Sequence, residues 1–198
     1  MPGLKTSLCL VVILAMAAGS SGALASDDHR SHRLGDGTLT LFRPVTNERM
    51  TFAYRDASGQ YDEKTMAEVA RFFRCRLTGE MYPIDPGLVE LLDAIEDHFG
   101  GREIRLISAY RSPLRNGLMR RHGRRVGSKS YHMYGMAADI HIAGIPTYKV
   151  RNFAYSLKRG GVGYYRHRHF VHVDVGPLRT WGWRPFASPA GVRAAAQK

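Results

Sequence analysis

The fold is decided by the stretch Phe170-Val171-His172-Val173-Asp174-Val175, in which apolar and polar residues alternate. In an extended strand, successive side chains point to opposite faces, so His172 and Asp174 share one face. Burying a histidine beside an aspartate on an otherwise apolar strand is costly unless the two groups are paired or bind a metal. The stretch therefore predicts a β-strand with one apolar face and one face that carries function.

Hydrophobic periodicity and capping residues predict the elements around this strand. The alternating segments 38–42 and 49–54, joined by a Pro-Val-Thr-Asn turn region, predict a hairpin. Helices are expected after the capping residues Asp62, Asp85 and Ser112 and over 146–159, and further strands over 104–109, 136–142 and 162–165. Helices that precede strands, with hairpin connections, indicate a single α+β domain with an antiparallel sheet and helices packed on one side.

The N-terminus has the order of a secretory signal peptide. Lys5 precedes an apolar run over 8–18, and small residues follow up to Ala25. The run is shorter than the about 20 residues that a membrane-spanning helix needs, and no later segment is apolar enough to span. We therefore expect residues 1–25 to direct secretion across the inner membrane into the periplasm. The rest divides into a flexible leader, 26–37, one domain, 38–184, and a loose tail, 185–198.

The chain is strongly basic, with a formal net charge of +12. Such a charge attracts polyanions, and an exported protein meets anionic cell-wall polymers more readily than nucleic acid. The sequence contains no nucleic-acid recognition motif. Much of the excess charge lies in two groups, Arg115, Arg120, Arg121, Arg124 and Arg125, and Arg166 and Arg168. An ordinary solvated basic surface explains these groups equally well.

Cysteine usage excludes an intramolecular disulfide in the mature chain. Cys9 lies within the expected signal peptide, so Cys75 is the one cysteine that remains after cleavage. Cys75 lies close to Phe72 and Phe73 in a helical pattern, which favours a buried structural thiol over a catalytic one.

A second polar stretch, from Ser130 to Ile140, supplies a histidine and an aspartate. Gly135 lets the chain turn sharply between His132 and Asp139, so the two side chains can converge. Two imidazoles and one carboxylate leave a fourth position open on Zn²⁺, as in catalytic zinc sites. Calcium would need six or more oxygen ligands, which this set lacks. Because the chain has nine histidines, spacing alone leaves a chance pairing as an alternative.

Several short motifs occur in the order that is typical of one protein family. They are Ser108-Ala109-Tyr110-Arg111-Ser112, then Asn116, then Ser130-x-His132-x-x-Gly135-x-Ala137-x-Asp139-Ile140, then Gly160-Gly161-Val162-Gly163-x-Tyr165, and then Phe170-Val171-His172-Val173-Asp174. Together they resemble the murein endopeptidases of the MepK type, within the D-Ala-D-Ala carboxypeptidase-like zinc peptidases, whose superfamily includes the hedgehog fold. The resemblance extends from about Thr38 to Trp183.

The resemblance implies a zinc site and a substrate-binding set. One Zn²⁺ per chain would be held by three ligands, His132, Asp139 and His172. In related carboxypeptidases the arginine of the first of these motifs binds the substrate near its reacting carbonyl or its terminal carboxylate. Arg111 matches that arginine. The serine two places before the first ligand faces substrate in relatives, and Ser130 matches that serine. Tyr110 and Asn116 complete the expected substrate-binding residues.

The general base is the point at which this sequence departs from the family pattern. Many relatives have a glutamate three residues before the last zinc histidine, or a histidine two before it, whereas this chain has His169 and Phe170 there. Asp174 shares a face with His172 and is our first candidate, although it could equally be the carboxylate that orients His172. His169 is the second candidate, because a histidine titrates near neutral pH.

The implied reaction is hydrolysis of peptide cross-links between peptidoglycan stem peptides, in particular those between two diaminopimelate residues. The sequence does not distinguish these from links between D-Ala and diaminopimelate. Arg111 would act in catalysis by stabilising the negative charge that develops at the scissile carbonyl. A D,D- or L,D-carboxypeptidase of the same fold is one alternative. A non-catalytic, zinc-containing module that binds the cell wall is another, because it would share the same ligand set.

Overall fold

Seven strands form one mixed sheet in the computed structural model, which describes residues 35–124 and 126–185. The strands are β1 (Thr38–Arg43), β2 (Glu48–Ala53), β3 (Ile104–Ser108), β4 (Ala137–Ile142), β5 (Gly161–Tyr165), β6 (Phe170–Asp174) and β7 (Arg179–Trp181). The α-helices of these residues are α1 (Glu63–Phe72), α2 (Pro86–His98), α3 (Pro113–Arg121) and α4 (Thr147–Ser156). These elements confirm the predicted α+β class.

The strand order across the sheet is β2-β1-β3-β4-β6-β5-β7, and the pairing corrects the expectation of a purely antiparallel sheet. Strands β1 and β3 run parallel, as do β5 and β7, while the other four neighbouring pairs are antiparallel. The chain passes through β2, α1 and α2 between β1 and β3, which provides the long connection that a parallel pair needs. The sequence does not predict β7, because three residues are too few for a recognisable alternation.

The apolar core lies on the face of the sheet that α2 and α4 cover. Ile140 on β4 and Val171 and Val173 on β6 are fully buried there. The two helices contribute Leu88, Leu92, Ile95, Val150 and Ala154 to the same core. The strand period of two then places Asp139 and His172 on the opposite face, as the alternation in the sequence predicts.

Three helices begin at the caps that the sequence indicates. The side chains of Asp62, Asp85 and Ser112 each accept a hydrogen bond from a first-turn amide, at 2.9, 2.8 and 3.3 Å. Helix α4 ends at Ser156, earlier than predicted, because Lys158 adopts a left-handed backbone conformation with φ of 55°. The cap at Ser112 fixes the start of α3 directly after the loop that carries the predicted substrate arginine.

The predicted signal peptide, 1–25, lies outside the described residues, as do the leader up to residue 34 and the tail from residue 186. The end of the leader is bound to α2. The amide of Asp36 donates to Oδ2 of Asp97 at 3.0 Å, and the amide of Gly37 donates to Oδ2 of Asp93 at 2.9 Å. Within the two described ranges, no helix combines the length and apolarity needed to cross a membrane.

Cys75 and the two basic groups lie in different environments. Cys75 is buried, and its sulfur lies 3.4 Å from the Ser112 hydroxyl, which confirms the predicted buried thiol. Arg115 is partly buried, and Arg125 lies outside the described residues. The other arginines of the two groups are exposed: Arg120, Arg121, Arg124, Arg166 and Arg168.

Leu92 tests how strongly the domain depends on the packing of α2. The side chain is fully buried in the core, so Leu92→Ala leaves a cavity and should lower the free energy of unfolding by about 2–5 kcal/mol. Leu114→Ala is the matched control, because Leu114 is 56% exposed on α3 and its truncation should change stability by less than about 0.5 kcal/mol. Urea denaturation measures both, and equal losses would contradict this assignment of the core.

Candidate metal centre

Two neighbouring strands and one short helix carry the predicted ligands. In the antiparallel register of β4 and β6, Asp139 lies directly opposite His172. His132 belongs to a short 3-10 helix, Tyr131–Tyr134, that precedes β4. This helix ends at Gly135, whose φ of 65° is left-handed, and a Cβ there would overlap a backbone carbonyl oxygen. The glycine therefore allows the sharp turn that brings His132 to Asp139.

The donor atoms of the three side chains converge. Nε2 of His132 lies 3.3 Å from Oδ1 of Asp139, and Nδ1 of His172 lies 2.9 Å from the same oxygen. All three residues are buried. A tetrahedral zinc ion with bonds of about 2.0–2.1 Å holds its ligand atoms about 3.3 Å apart. The two distances to Asp139 are close to this value, and the three donor atoms all lie within 4.8 Å of one another, so the group could hold a zinc ion.

The other ring nitrogens are engaged in hydrogen bonds that fix the tautomers. Nδ1 of His132 donates to the carbonyl oxygen of Ala109 at 2.8 Å. Nε2 of His172 donates to Oδ2 of Asp174 at 2.9 Å. These bonds direct Nε2 of His132 and Nδ1 of His172 toward Asp139, and such outer partners are typical of metal-binding histidines.

The carboxylate of Asp174 is fully buried and fully engaged. Its Oδ1 accepts from the amides of Gly161 and Gly176, at 3.1 and 2.9 Å. Its Oδ2 accepts from His172 and from Nη2 of Arg179, the latter at 2.7 Å. Burial raises the pKa of Asp174, but the hydrogen bond and charge of His172 and the two backbone amides outweigh burial and hold the pKa below its ordinary value. The geometry favours the second of the two roles that the sequence leaves open, that of orienting His172.

Electrostatic interactions favour metal binding at two of the three ligands. Although burial raises the pKa of Asp139, the charge and hydrogen bonds of the two histidines hold it well below its usual range. Burial lowers the pKa of His132, so its imidazole is neutral near pH 7. Burial also lowers the pKa of His172, but its hydrogen bonds to Asp139 and Asp174 outweigh this effect and raise the pKa. A metal would therefore compete with a proton at His172.

A pocket of about 390 Å³ opens over the three donor atoms. Beyond the ligands, its polar and aromatic lining includes Arg111, Lys129, Ser130, Tyr131, Tyr165, Arg179 and Trp181. Among the described residues that line it, Asp139 is the only acidic one, and its charge belongs to the ligand set. The pocket thus presents three cationic side chains, which favour an anionic or strongly polar ligand.

Arg111 is a buried cation beside the ligand set, with 5% exposure. Its amide donates to the carbonyl oxygen of His132 at 3.0 Å, and Nη1 donates to Oδ1 of Asn116 at 3.3 Å. Its Nε is buried without a hydrogen-bond partner. Burial lowers the pKa of Arg111, although an arginine remains charged at neutral pH. A buried guanidinium with an unused donor is suited to bind an anionic group.

Comparison with known proteins places the chain in a family. Residues 34–181 match the family described as peptidoglycan L,D-endopeptidase MepK. The chain belongs to this family. It is 40% identical over 144 residues to peptidoglycan L,D-endopeptidase MepK of Escherichia coli (strain K12), a match that covers 72% of this chain and 79% of that protein. It is 39% identical over 146 residues to the protein named probable peptidoglycan L,D-endopeptidase MepK of Haemophilus influenzae, covering 72% and 78%.

The expected substrate-binding residues of this MepK-family chain divide into two pairs. Arg111 and Ser130 line the pocket. Asn116 is buried, and its side chain supports Arg111 and donates to a loop carbonyl oxygen at 3.0 Å. Tyr110 is buried and stacks on Tyr82, with ring centroids 5.3 Å apart, and it is not part of the pocket lining. The structure therefore brings two of the four to the pocket.

Neither candidate for the general base lines the pocket. Asp174 lies on the side of the His172 ring away from Asp139. His169 is exposed on the turn between β5 and β6, where its φ is 53°. Its backbone carbonyl oxygen accepts from Nδ1 of His141 at 2.9 Å. Both residues are thus separated from the described pocket surface.

The MepK-family pocket also contains residues that the sequence analysis does not single out. Trp181 on β7 donates from Nε1 to the Tyr165 hydroxyl at 3.0 Å, and its ring centroid lies 4.9 Å from that of His172. Arg179, two residues earlier, lines the same wall. The signal in the sequence is the basic and aromatic run over 179–184. A strand as short as β7 gives no periodicity by which to place that run.

Gly161 tests how tightly the Asp174 carboxylate is packed. A Cβ at Gly161 would overlap this carboxylate, which cannot move without losing hydrogen bonds. We expect Gly161→Ala to lower the free energy of unfolding by about 1–3 kcal/mol. Gly117→Ala is the matched control, because a Cβ there meets nothing closer than 3.6 Å and alanine favours a helix by about 0.5–1 kcal/mol. Chemical denaturation of the metal-free proteins measures both changes. A Gly161→Ala protein as stable as the parent would contradict this packing.

Proposed function

We propose that this chain is an exported, zinc-dependent endopeptidase that hydrolyses cross-links between diaminopimelate residues of peptidoglycan. The observation that carries the proposal is the convergence of three donor atoms in a cationic pocket of a MepK-family chain. The curated relatives are named peptidoglycan L,D-endopeptidases. One zinc ion per chain would be held by His132, Asp139 and His172.

The side chains around the ligands define how the reaction would be supported. When bound, a zinc ion supplies Lewis-acid polarisation of the scissile carbonyl and activation of the attacking water. Arg111 is held next to the predicted ligands by a hydrogen bond from its backbone amide to the carbonyl oxygen of His132 and by the bond from its side chain to Asn116. Its charge can therefore stabilise the negative charge that develops on the carbonyl oxygen with little reorganisation. Ser130 lines the same pocket and would contact the substrate backbone.

Asp174 has the position of an orienting residue. It accepts from Nε2 of His172, and its remaining acceptor sites are used by two backbone amides and Arg179. We infer that it fixes the ring and tautomer of His172 and does not accept a proton from the attacking water. The exposed position of His169 outside the pocket argues against that residue as the base as well.

The proposed bond matches both the names of the relatives and the charge of the pocket. In a link between two diaminopimelate residues, the carbonyl of an L centre is joined to the amine of a D centre. Free carboxylates lie on both sides of this bond. Three cationic side chains face the pocket that would receive it, Arg111, Lys129 and Arg179. A link from D-Ala to diaminopimelate has one carboxylate fewer near the bond and is a poorer match.

The proposed compartment follows from the proposed substrate. Peptidoglycan lies outside the cytoplasmic membrane, so we propose that residues 1–25 act as a signal peptide that brings the chain to the periplasm. The exposed arginines of α3 and the following turn would then attract anionic wall polymers. That attraction should weaken as salt rises, because exposed charges are screened within about 10 Å at 0.1 M.

A non-catalytic wall-binding module is the second candidate, and one observation favours it. Among the described residues that line the pocket, no carboxylate other than that of Asp139 is present to accept a proton. Such a module would keep the zinc and the pocket but would leave the wall intact. Analysis of the products therefore separates the two candidates.

Digestion of purified peptidoglycan with the zinc-loaded protein tests the proposed function. We expect mass analysis to show loss of dimers linked between two diaminopimelate residues and gain of the corresponding monomers, with unchanged stem length. His172→Ala should lose nearly all zinc and all cleavage, because the change removes a ligand. His122→Ala should retain both, since His122 is exposed at the end of α3. Shortened stems with intact dimers would indicate a carboxypeptidase, and binding without cleavage would indicate the wall-binding module.

Two variants, Asp174→Asn and His169→Ala, distinguish a residue that orients the proposed zinc ligand His172 from one that accepts a proton from the attacking water. We expect Asp174→Asn to lower zinc affinity by about 10- to 100-fold, as loss of an orienting carboxylate does, with activity partly restored at high zinc concentration. His169→Ala should keep its zinc and most of its activity. Competition with a chromophoric chelator measures the affinities. If Asp174→Asn is inactive with unchanged zinc affinity, Asp174 is the base, and a zinc-loaded but inactive His169→Ala protein would give that role to His169.

A further inference from the structure

We propose that Arg179 determines specificity for the diaminopimelate link by binding a carboxylate of the substrate. The carboxylate is the one at the far end of the diaminopimelate residue that contributes the scissile carbonyl. D-Ala in the same position carries only a methyl group, so this carboxylate distinguishes an L,D link from a D,D link. The inference rests on the proposed function and deepens it by naming the residue that selects the substrate.

Arg179 and Arg111 flank the ligand-bearing strands from opposite sides. The relevant part of the sheet has the order β3, β4, β6, β5, β7, and the strands β4 and β6 carry Asp139 and His172. Arg111 follows the end of β3, whereas Arg179 begins β7. Both side chains line the same pocket. A substrate with a carboxylate on each side of its scissile bond fits a pocket with an arginine on each side of its ligand set.

The guanidinium of Arg179 is held in position but keeps capacity for a ligand. Its Nη2 donates to Oδ2 of Asp174 at 2.7 Å, and its Nη1 makes only a long bond, 3.4 Å, to the Pro177 carbonyl oxygen. Its Cζ lies 4.8 and 5.3 Å from the ring centroids of Tyr131 and Trp181. The side chain is still 40% exposed. An oriented, accessible guanidinium is well suited to bind a carboxylate through two parallel hydrogen bonds.

Asp174 does not fully neutralise the positive charge of Arg179. The same carboxylate also accepts from His172 and from two backbone amides, so its negative charge is shared among four donors. Arg179 therefore retains positive potential toward the pocket. A purely structural role, in which Arg179 only holds Asp174 in place, is the competing explanation.

The test compares binding of a carboxylate with binding of its amide. The probes are the tripeptide L-Ala-γ-D-Glu-diaminopimelate, which matches the stem that the proposed reaction leaves on the carbonyl side of the link, and the same tripeptide amidated at the far carboxylate. Amidation removes the negative charge but leaves the neighbouring ammonium group and the chain length unchanged. The proteins are the zinc-loaded parent, Arg179→Gln, Arg179→Lys and the control Arg102→Gln. Arg102 is exposed before β3 and lies outside the pocket lining.

Calorimetry should show that the parent and Arg102→Gln bind the acid about 10- to 100-fold more tightly than the amide, as expected for one charge-assisted pair of hydrogen bonds. Arg179→Gln should bind both probes alike while keeping its zinc, and Arg179→Lys should retain part of the preference. For cross-linked dimers, the ratio of kcat/KM for the L,D link to that for the D,D link should fall by a similar factor in Arg179→Gln.

Three results would overturn the inference. One is a parent protein that binds acid and amide equally, and another is an acid preference that persists in Arg179→Gln. The third is an acid preference that is lost in Arg179→Gln only together with zinc and that returns when excess zinc refills the site, which would leave Arg179 only as support for Asp174. A parent protein that cleaves neither dimer would contradict the proposed function, but the binding comparison would still decide whether Arg179 binds the carboxylate.

Discussion

The antiparallel pairing of β4 with β6 is the constraint on which both the core and the candidate metal centre depend. In this register Asp139 lies opposite His172, while Ile140 and Val171 face the core under α2 and α4. Because side chains alternate along a strand, a slip by one residue would turn the apolar side chains toward the pocket and the ligands into the core. The helix packing that holds the register therefore also fixes the geometry of the ligands.

Burial of two carboxylates beside one imidazole is costly, and the structure offsets the cost in a particular way. Asp174 has all its acceptor sites filled, and His172 lies between Asp174 and Asp139. Two carboxylates around one ring favour the protonated imidazole, which is why the pKa of His172 is raised despite burial. A divalent cation between the ligands would replace that proton and balance the same negative charge.

The features that the sequence predicts are those set by neighbours along the chain. The caps Asp62, Asp85 and Ser112 and the alternation of β6 are local patterns, and the structure confirms each of them. The parallel pairing of β1 with β3 and the existence of β7 depend on contacts between distant segments, which no local pattern records. The ligand set was implied by a family resemblance, because nine histidines make spacing alone indecisive.

The position of Asp174 also shows that local sequence patterns do not predict contacts between distant residues. Strand alternation predicts that it shares a face with His172, and it does. Alternation does not predict which ring nitrogen the carboxylate meets, because that depends on the rotamers of both residues. The amides of Gly161 and Gly176 and the guanidinium of Arg179 hold the carboxylate on the outer side of the ring.

Arg179 links the buried carboxylates to the cationic pocket. Its guanidinium bonds to Asp174 beneath the pocket wall and is exposed to the pocket on its other side. A substrate carboxylate bound there would share the guanidinium with Asp174 and weaken that one contact. Asp174 would then direct more of its charge toward Nε2 of His172, which raises the basicity of a ligand histidine. Binding of an anionic substrate and orientation of the proposed metal ligand would in this way be coupled through a single side chain.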